Sequence, residues 1–283
     1  MIYISSACLK ENRIDSIIHQ LSNYGIRNIE LSGGTEFYAC IEQDLKNLKA
    51  RYGLEYACHA YFPPPQEPFV VNLASCNDVI YRKSVNYYVQ SIELLKRIEC
   101  KSLSIHAGFL IEVDVNQLGK KVDSNIIYNE GKAYDRFCTA YDHISGLCAE
   151  NGIELFLENN VLSAENYQDH SSNYFMMTDF ASIRKMMNQI DFNLLLDLGH
   201  LYVSSHTLGL DYSEECENLK KYVKWVHISE NSGVVDEHRP LRKNSKILSE
   251  FYKMNHSMLN ITLETVGELE DIVKSIELIK GGC

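Results

Sequence analysis

Residues 193–200 read NLLLDLGH: an apolar run of strand length that closes on a carboxylate, with an imidazole three residues later. The ending recurs along the chain. GLEYACH closes on His59, SLSIH on His106, IELFLE on Glu158, VKWVH on His227 and NITLE on Glu264, and Asp236 and His238 follow in the loop after VKWVH. Short apolar runs bounded by polar segments read as buried strands. Parallel strands alternating evenly with helices carry all these side chains to one rim. Imidazoles and carboxylates converging at the end of a barrel are metal ligands or acid–base groups.

Outward from this stretch, strand and helix patterns alternate. Strand-like runs occupy Ile2–Ser6, Asn28–Leu31, Leu54–His59, Lys101–His106, Ile153–Glu158, Phe192–Asp197, Val223–Ser229 and Leu259–Glu264. Helical patterns cover Arg13–Tyr24, Phe37–Arg51, Asp78–Ile98, Ile126–Glu150, Asp179–Asn188, a piece near Ser213–Lys220, Ser245–Asn255 and Glu268–Ile279. In the first of these, Ile14, Ile17, Ile18 and Leu21 share one face. Ala60–Ser75 holds Pro63, Pro64, Pro65 and Pro68 and reads as a loop, as does the polar segment Asn159–Tyr174. This order predicts an α/β fold, a (β/α)8 TIM barrel that takes residues 1–283 as a single domain. An open doubly wound sheet would place a glycine-rich loop after the first strand, but Ser5–Glu11 contains no glycine.

The 283 residues are 45% hydrophobic, enough for one core of barrel size. A net charge of −11 argues against non-specific binding to nucleic acid or anionic membrane. Nine cysteines, an odd number with no CxxC pair, fit reduced thiols in a cytoplasmic enzyme better than a disulfide framework. Cys58, beside His59, reads as a small buried strand residue sooner than as a catalytic thiol. There is no basic leader and no apolar stretch of the roughly 20 residues a membrane span requires. The expectation is a soluble, cytoplasmic chain, compatible with a homo-oligomer.

Glu158, Asp197, His227 and Glu264 end four consecutive strands, so they can surround one divalent ion. Mixed nitrogen and oxygen ligation suits Zn, Mn or Co, and Mg less well. Burying such groups unpaired, for stability alone, costs several kcal/mol each. His59, His106, His200, Asp236 and His238 stand around the same ring. They are expected either as ligands of further metals or as hydrogen-bonding substrate contacts. Tyr61 and Phe62 are expected to wall the substrate pocket. No role is assigned to His19, His143, His170, His206 or His256.

Seven segments carry a family resemblance: HAYFPPP…VNLAS (59–75), SIHAG (104–108), LFLENN (155–160), LLLDLGH (194–200), VHISEN (226–231), DEHRPL (236–241) and TLET (262–265). With them the chain resembles the xylose-isomerase-like TIM-barrel superfamily, which includes endonuclease IV and many sugar isomerases and epimerases. Endonuclease IV binds three zinc ions through nine ligands. The matching positions here are His59, His106, Glu158, Asp197, His200, His227, Asp236, His238 and Glu264. The epimerase branch is similar at four ligands, Glu158, Asp197, His227 and Glu264. There the resemblance implies that the two glutamates form the acid–base pair, while His200 and a basic residue near Arg239 hold substrate oxygens.

The resemblance implies first a metal-dependent isomerase or epimerase of a sugar or sugar phosphate, with Glu158 and Glu264 passing a proton through an enediolate. Sparse positive charge around the rim loops and the HISEN and DEHRPL segments favour this small-molecule branch. The alternative is an endonuclease IV-like zinc-dependent phosphodiester hydrolase acting on abasic DNA, and the third reading is a non-catalytic sugar-binding barrel.

Overall fold

Eight short strands close into a parallel barrel in chain order. They are β1 (Ile2–Ser5), β2 (Asn28–Leu31), β3 (Glu55–Cys58), β4 (Ser102–His106), β5 (Glu154–Glu158), β6 (Asn193–Asp197), β7 (Val223–Ile228) and β8 (Asn260–Leu263). The computed structural model describes residues 1–170 and 172–281, so Cys283 lies outside the described residues. The register carries the strand ends to a common level: His106 lies opposite Glu158, and Asp197 opposite His227. The barrel expected from the alternation is therefore the fold observed.

The helices pack outside: α1 (Ile14–Asn23), α2 (Ile41–Tyr52), α3 (Asp78–Arg97), α4 (Glu130–Glu150), α5 (Ala164–His170), α6 (Phe180–Met187), α7 (Leu198–Leu208), α8 (Tyr212–Leu219), α9 (Lys246–Tyr252) and α10 (Leu269–Gly281). Their apolar faces meet the outer face of the sheet in one continuous core. A second, smaller cluster fills the barrel: Tyr3, Ala57, Phe156, Leu195 and Trp225. Side chains two residues apart on a strand point the same way. Ala57 therefore sets the direction of His59, Phe156 that of Glu158, Leu195 that of Asp197, and Trp225 that of His227. This apolar layer is the floor under the polar residues at the strand ends.

Local chemistry moves several helix boundaries. The helix expected from Ile126 begins at Glu130, because Asn129 caps it by accepting from the Lys132 N–H. Ile127 instead forms an antiparallel bridge with Ile111. The helix expected from Phe37 starts at Ile41. The segment expected to be loop, Asn159–Tyr174, contains α5. Among the described residues no helix is long and apolar enough to cross a membrane.

Candidate metal centre and pocket

Glu158 ends β5 with no solvent exposure, enclosed by imidazoles. Its Oε2 lies 2.5 Å from His59 Nε2 and 3.2 Å from His106 Nδ1. Its Oε1 lies 3.5 Å from His227 Nδ1, which is 3.4 Å from Glu264 Oε2. On the other side of the ring, Asp236 Oδ2 lies 2.8 Å from His238 Nε2 and 3.2 Å from His200 Nε2. Among the described residues, potential ligand atoms thus gather in three groups: His59, Glu158 and His227; Glu158, Asp197, His227 and Glu264; and His200, Asp236 and His238. His106 adjoins the first. Glu158 and His227 belong to both of the first two groups, which are therefore contiguous.

These atoms fit bound metal. Glu158 Oε1, Asp197 Oδ2 and His227 Nδ1 are buried without a hydrogen-bond partner. Orphaned buried polar atoms are rare in folded proteins unless something else satisfies them. Ligand atoms about 2.0–2.1 Å from a tetrahedral ion stand about 3.4 Å apart, close to the His227–Glu264 and His227–Glu158 separations of 3.4 and 3.5 Å.

Neighbouring groups orient the potential ligands. His227 Nε2 faces Glu30 at 3.2 Å, which leaves Nδ1 turned toward Glu158 and Glu264. Glu30 Oε2 also accepts from Thr262 Oγ1 at 3.0 Å, and Trp225 Nε1 donates to that hydroxyl at 2.9 Å. His200 Nδ1 donates to the Asn159 carbonyl at 2.9 Å, leaving Nε2 for Asp236. Asp197 Oδ1 accepts from the His200 backbone N–H at 2.6 Å and so caps α7. The D-x-x-H spacing therefore joins a strand end to the first turn of a helix. Glu30 was not anticipated from sequence. Its signal is a carboxylate on the inward face of NIEL, two residues after Asn28.

In the metal-free chain these groups shift one another strongly. Burial opposes the charged form of His227, but Glu30, Glu264 and Glu158 outweigh it and raise its pKa well above the ordinary value. His200 is likewise raised well above its usual value, since Asp197 and Asp236 outweigh burial. Burial alone dominates at His106 and lowers it to about 4. Asp197 is pushed up to about 6, chiefly by burial. The Glu158 carboxyl is held well below the usual range because His106, His59 and His227 outweigh burial.

A cavity of about 530 Å³ opens above these residues, with Glu158, His106, His200 and Glu264 in its lining. A strap near residues 117–122 forms part of its lining. The strap is tied to α5: Val122 N–H donates to Asn166 Oδ1 at 2.8 Å, Asn166 Nδ2 donates to the Lys120 carbonyl at 3.2 Å, and His170 Nε2 donates to the Val122 carbonyl at 2.8 Å. His170, given no role from sequence, thus has a structural one.

Tyr61 lines the cavity, and its hydroxyl accepts from the Val71 N–H at 3.2 Å. Phe62 and Arg239 require correction. Phe62 is only 1% exposed and packs into the outer core, since the chain turns at Tyr61 with a left-handed φ of 65°. Arg239 bridges to Glu230 through its backbone and pairs its guanidinium with Glu237, away from the cavity lining. Cys58 is fully buried, and burial pushes its thiol well up, so it is a core residue.

A family model described as xylose isomerase-like TIM barrel matches residues 18–281. The chain belongs to that family. Among curated proteins it is 21% identical over 240 residues to an uncharacterized protein of Methanocaldococcus jannaschii, covering 83% of this chain and 72% of that one. A D-tagatose 3-epimerase-like protein of known structure superposes with a TM-score of 0.74 at 20% identity, covering 99% of this chain and 96% of that chain. Endonuclease IV from Thermus thermophilus superposes with a TM-score of 0.62 at 14% identity, covering 99% and 98%. At these identities the solved structures carry the fold. Family and neighbours are mostly enzymes, epimerases and isomerases together with a nuclease.

Proposed function

We propose that the chain is a multi-metal hydrolase of phosphate esters whose substrate is a small molecule. One observation carries this reading: Glu158 belongs to two adjoining ligand groups, with Oε2 turned to His59 and His106 and Oε1 to His227, and a third group lies beside them. A shared carboxylate between neighbouring groups suits ions about 3.5–4 Å apart, the spacing of two-metal phosphoryl-transfer sites. His59, His106, Glu158, Asp197, His200, His227, Asp236, His238 and Glu264 would hold the ions. Their mixed donors favour Zn, Mn or Co over Mg. Bound ions supply Lewis-acid charge stabilisation for in-line displacement at phosphorus.

The chain's own residues do the rest. Glu30 and the Asn159 carbonyl fix the orientation of His227 and His200. Small size of the substrate is supported by the cavity, whose volume of about 530 Å³ falls in the usual range of small-molecule sites. A net charge of −11 further disfavours duplex DNA. Unpaired thiols among the described residues fit a reducing compartment such as the cytoplasm.

The isomerase or epimerase reading, ranked first from sequence, keeps one specific support: Glu158 and Glu264 both line a pocket of sugar size. The hydrolase reading is preferred because Glu158, wedged among three imidazoles, is better placed to bind metal than to exchange a proton with substrate.

The test is a three-way assay of protein purified without chelator. Release of alcohol or phosphate from small phosphate esters, with no incision of an abasic duplex, is the expected outcome. Exchange of a ketose C–H in deuterated water without ester hydrolysis would establish the isomerase instead.

A further inference from the structure

Between its polar floor and its strap, the cavity is walled by apolar side chains. Tyr61, Leu73, Tyr88, Phe109, Val161 and Phe175 line it. Phe109 and Phe175 meet edge to face with ring centroids 5.4 Å apart, and their backbones are bridged. Phe109 is also fixed from below, since Asn72 Oδ1 accepts from its N–H at 3.1 Å and Asn72 Nδ2 donates to its carbonyl at 3.0 Å.

Several of the wall's polar groups are committed to the protein itself. Asn160 Nδ2 donates to the carbonyls of Ala107, Gly108 and Met176 at 3.1, 3.1 and 2.9 Å. Asn166 holds the strap, and Lys121 pairs with Asp169. A hydroxyl-rich body would lose water here with few protein partners to replace it, and each hydroxyl left unsatisfied would weaken binding. An apolar ring meets the opposite balance, because its burial is favourable against such walls and aromatic pairs add an edge-to-face term.

We propose that the substrate is a phosphate ester whose non-reacting part is an aromatic or similarly apolar group, seated against Phe109 and Phe175 with its phosphoryl group at the floor. The phosphoryl end rests on the hydrolase reading above. The apolar body rests on the walls alone.

The experiment is calorimetric titration of the zinc-loaded full chain with three non-hydrolysable probes: phenylphosphonate, methylphosphonate and 2,3-dihydroxypropylphosphonate. Phenylphosphonate is expected to bind at least about tenfold more tightly than either of the others, the discrimination an apolar pocket gives a larger apolar group. In Phe175→Ala the phenyl-to-methyl ratio should fall toward one. Phe109→Leu, a milder change, should lower it in the same direction in a chain whose melting temperature shows it folded. Equal affinity for the three probes, or preference for the dihydroxypropyl one, would overturn the apolar-body inference and leave the hydrolase reading standing. Absence of binding by all three would overturn both together.

Discussion

Glu30 Oε2 lies 3.2 Å from His227 Nε2, and both side chains are completely buried, one on β2 and the other on β7. The carboxylate thus reaches across the barrel to orient an imidazole whose other nitrogen faces Glu158 and Glu264. Such outer partners fix the tautomer of a ligating histidine and raise its basicity. Glu30→Gln keeps the shape and removes the charge. It should weaken metal binding by about 10–100-fold, measured by competition with a chromogenic chelator. Unchanged affinity would show that Glu30 only fills the barrel.

Sharing of Glu158 between two ligand groups makes a prediction about counting ions. Glu158→Ala should remove metal from the two groups that contain it and leave His200, Asp236 and His238 intact. His238→Ala should affect that third group alone. Elemental analysis of the two variants should therefore show a larger loss for Glu158→Ala. Equal losses would contradict the shared position of Glu158.

Gly199 stands between Asp197 and His200, where a Cβ would lie 2.4 Å from Asn231 Nδ2 and 3.2 Å from Asp197 Oδ1. Asn231 Nδ2 in turn donates to Asp236 Oδ1 at 3.0 Å. Gly199→Ala must push Asn231 aside, so it should destabilise the fold by about 1–3 kcal/mol and disturb the third ligand group. Denaturant unfolding and metal content check the two effects separately.

Much of this site was legible in the sequence, because strand period and ligand chemistry point the same way. The nine strand-end and loop residues converge on one end of the barrel, since Ala57, Phe156, Leu195 and Trp225 of its interior are each followed two positions later by a potential ligand and the others lie at strand ends or in the loops that follow. Glu30 escaped notice because NIEL closes on Leu31, so its carboxylate does not mark a strand end. Phe62 and Arg239 failed for a different reason. Their directions depend on a left-handed turn at Tyr61 and on the Glu230–Arg239 bridge, neither of which leaves a periodic pattern. The α5 helix was missed because only seven residues form it, and most of them are polar.

Protonation sets the pH dependence of the metal-free chain. His238 is raised from 6.5 to about 9, since its hydrogen bond to Asp236 and the nearby carboxylates outweigh burial. A histidine whose folded pKa is raised contributes stability that is fully present below about 6.5 and is lost as pH climbs through about 9. His200 and His227 are shifted in the same direction. Chelator-treated protein should therefore lose stability between about pH 6.5 and 9. Metal affinity should rise over the same interval, because binding must displace these protons. Denaturant titrations across the range, with and without zinc, check both trends.

Metal stoichiometry of the wild-type chain, purified without chelator and analysed by elemental mass spectrometry, bears most directly on the shared-ligand centre. Two to three ions per chain, falling in step with phosphate-ester hydrolysis as chelator is added, is the expected result. One ion per chain, retained by the Glu158, Asp197, His227 and Glu264 group while the others stay empty under metal excess, would contradict it and return the barrel to the single-metal isomerase reading.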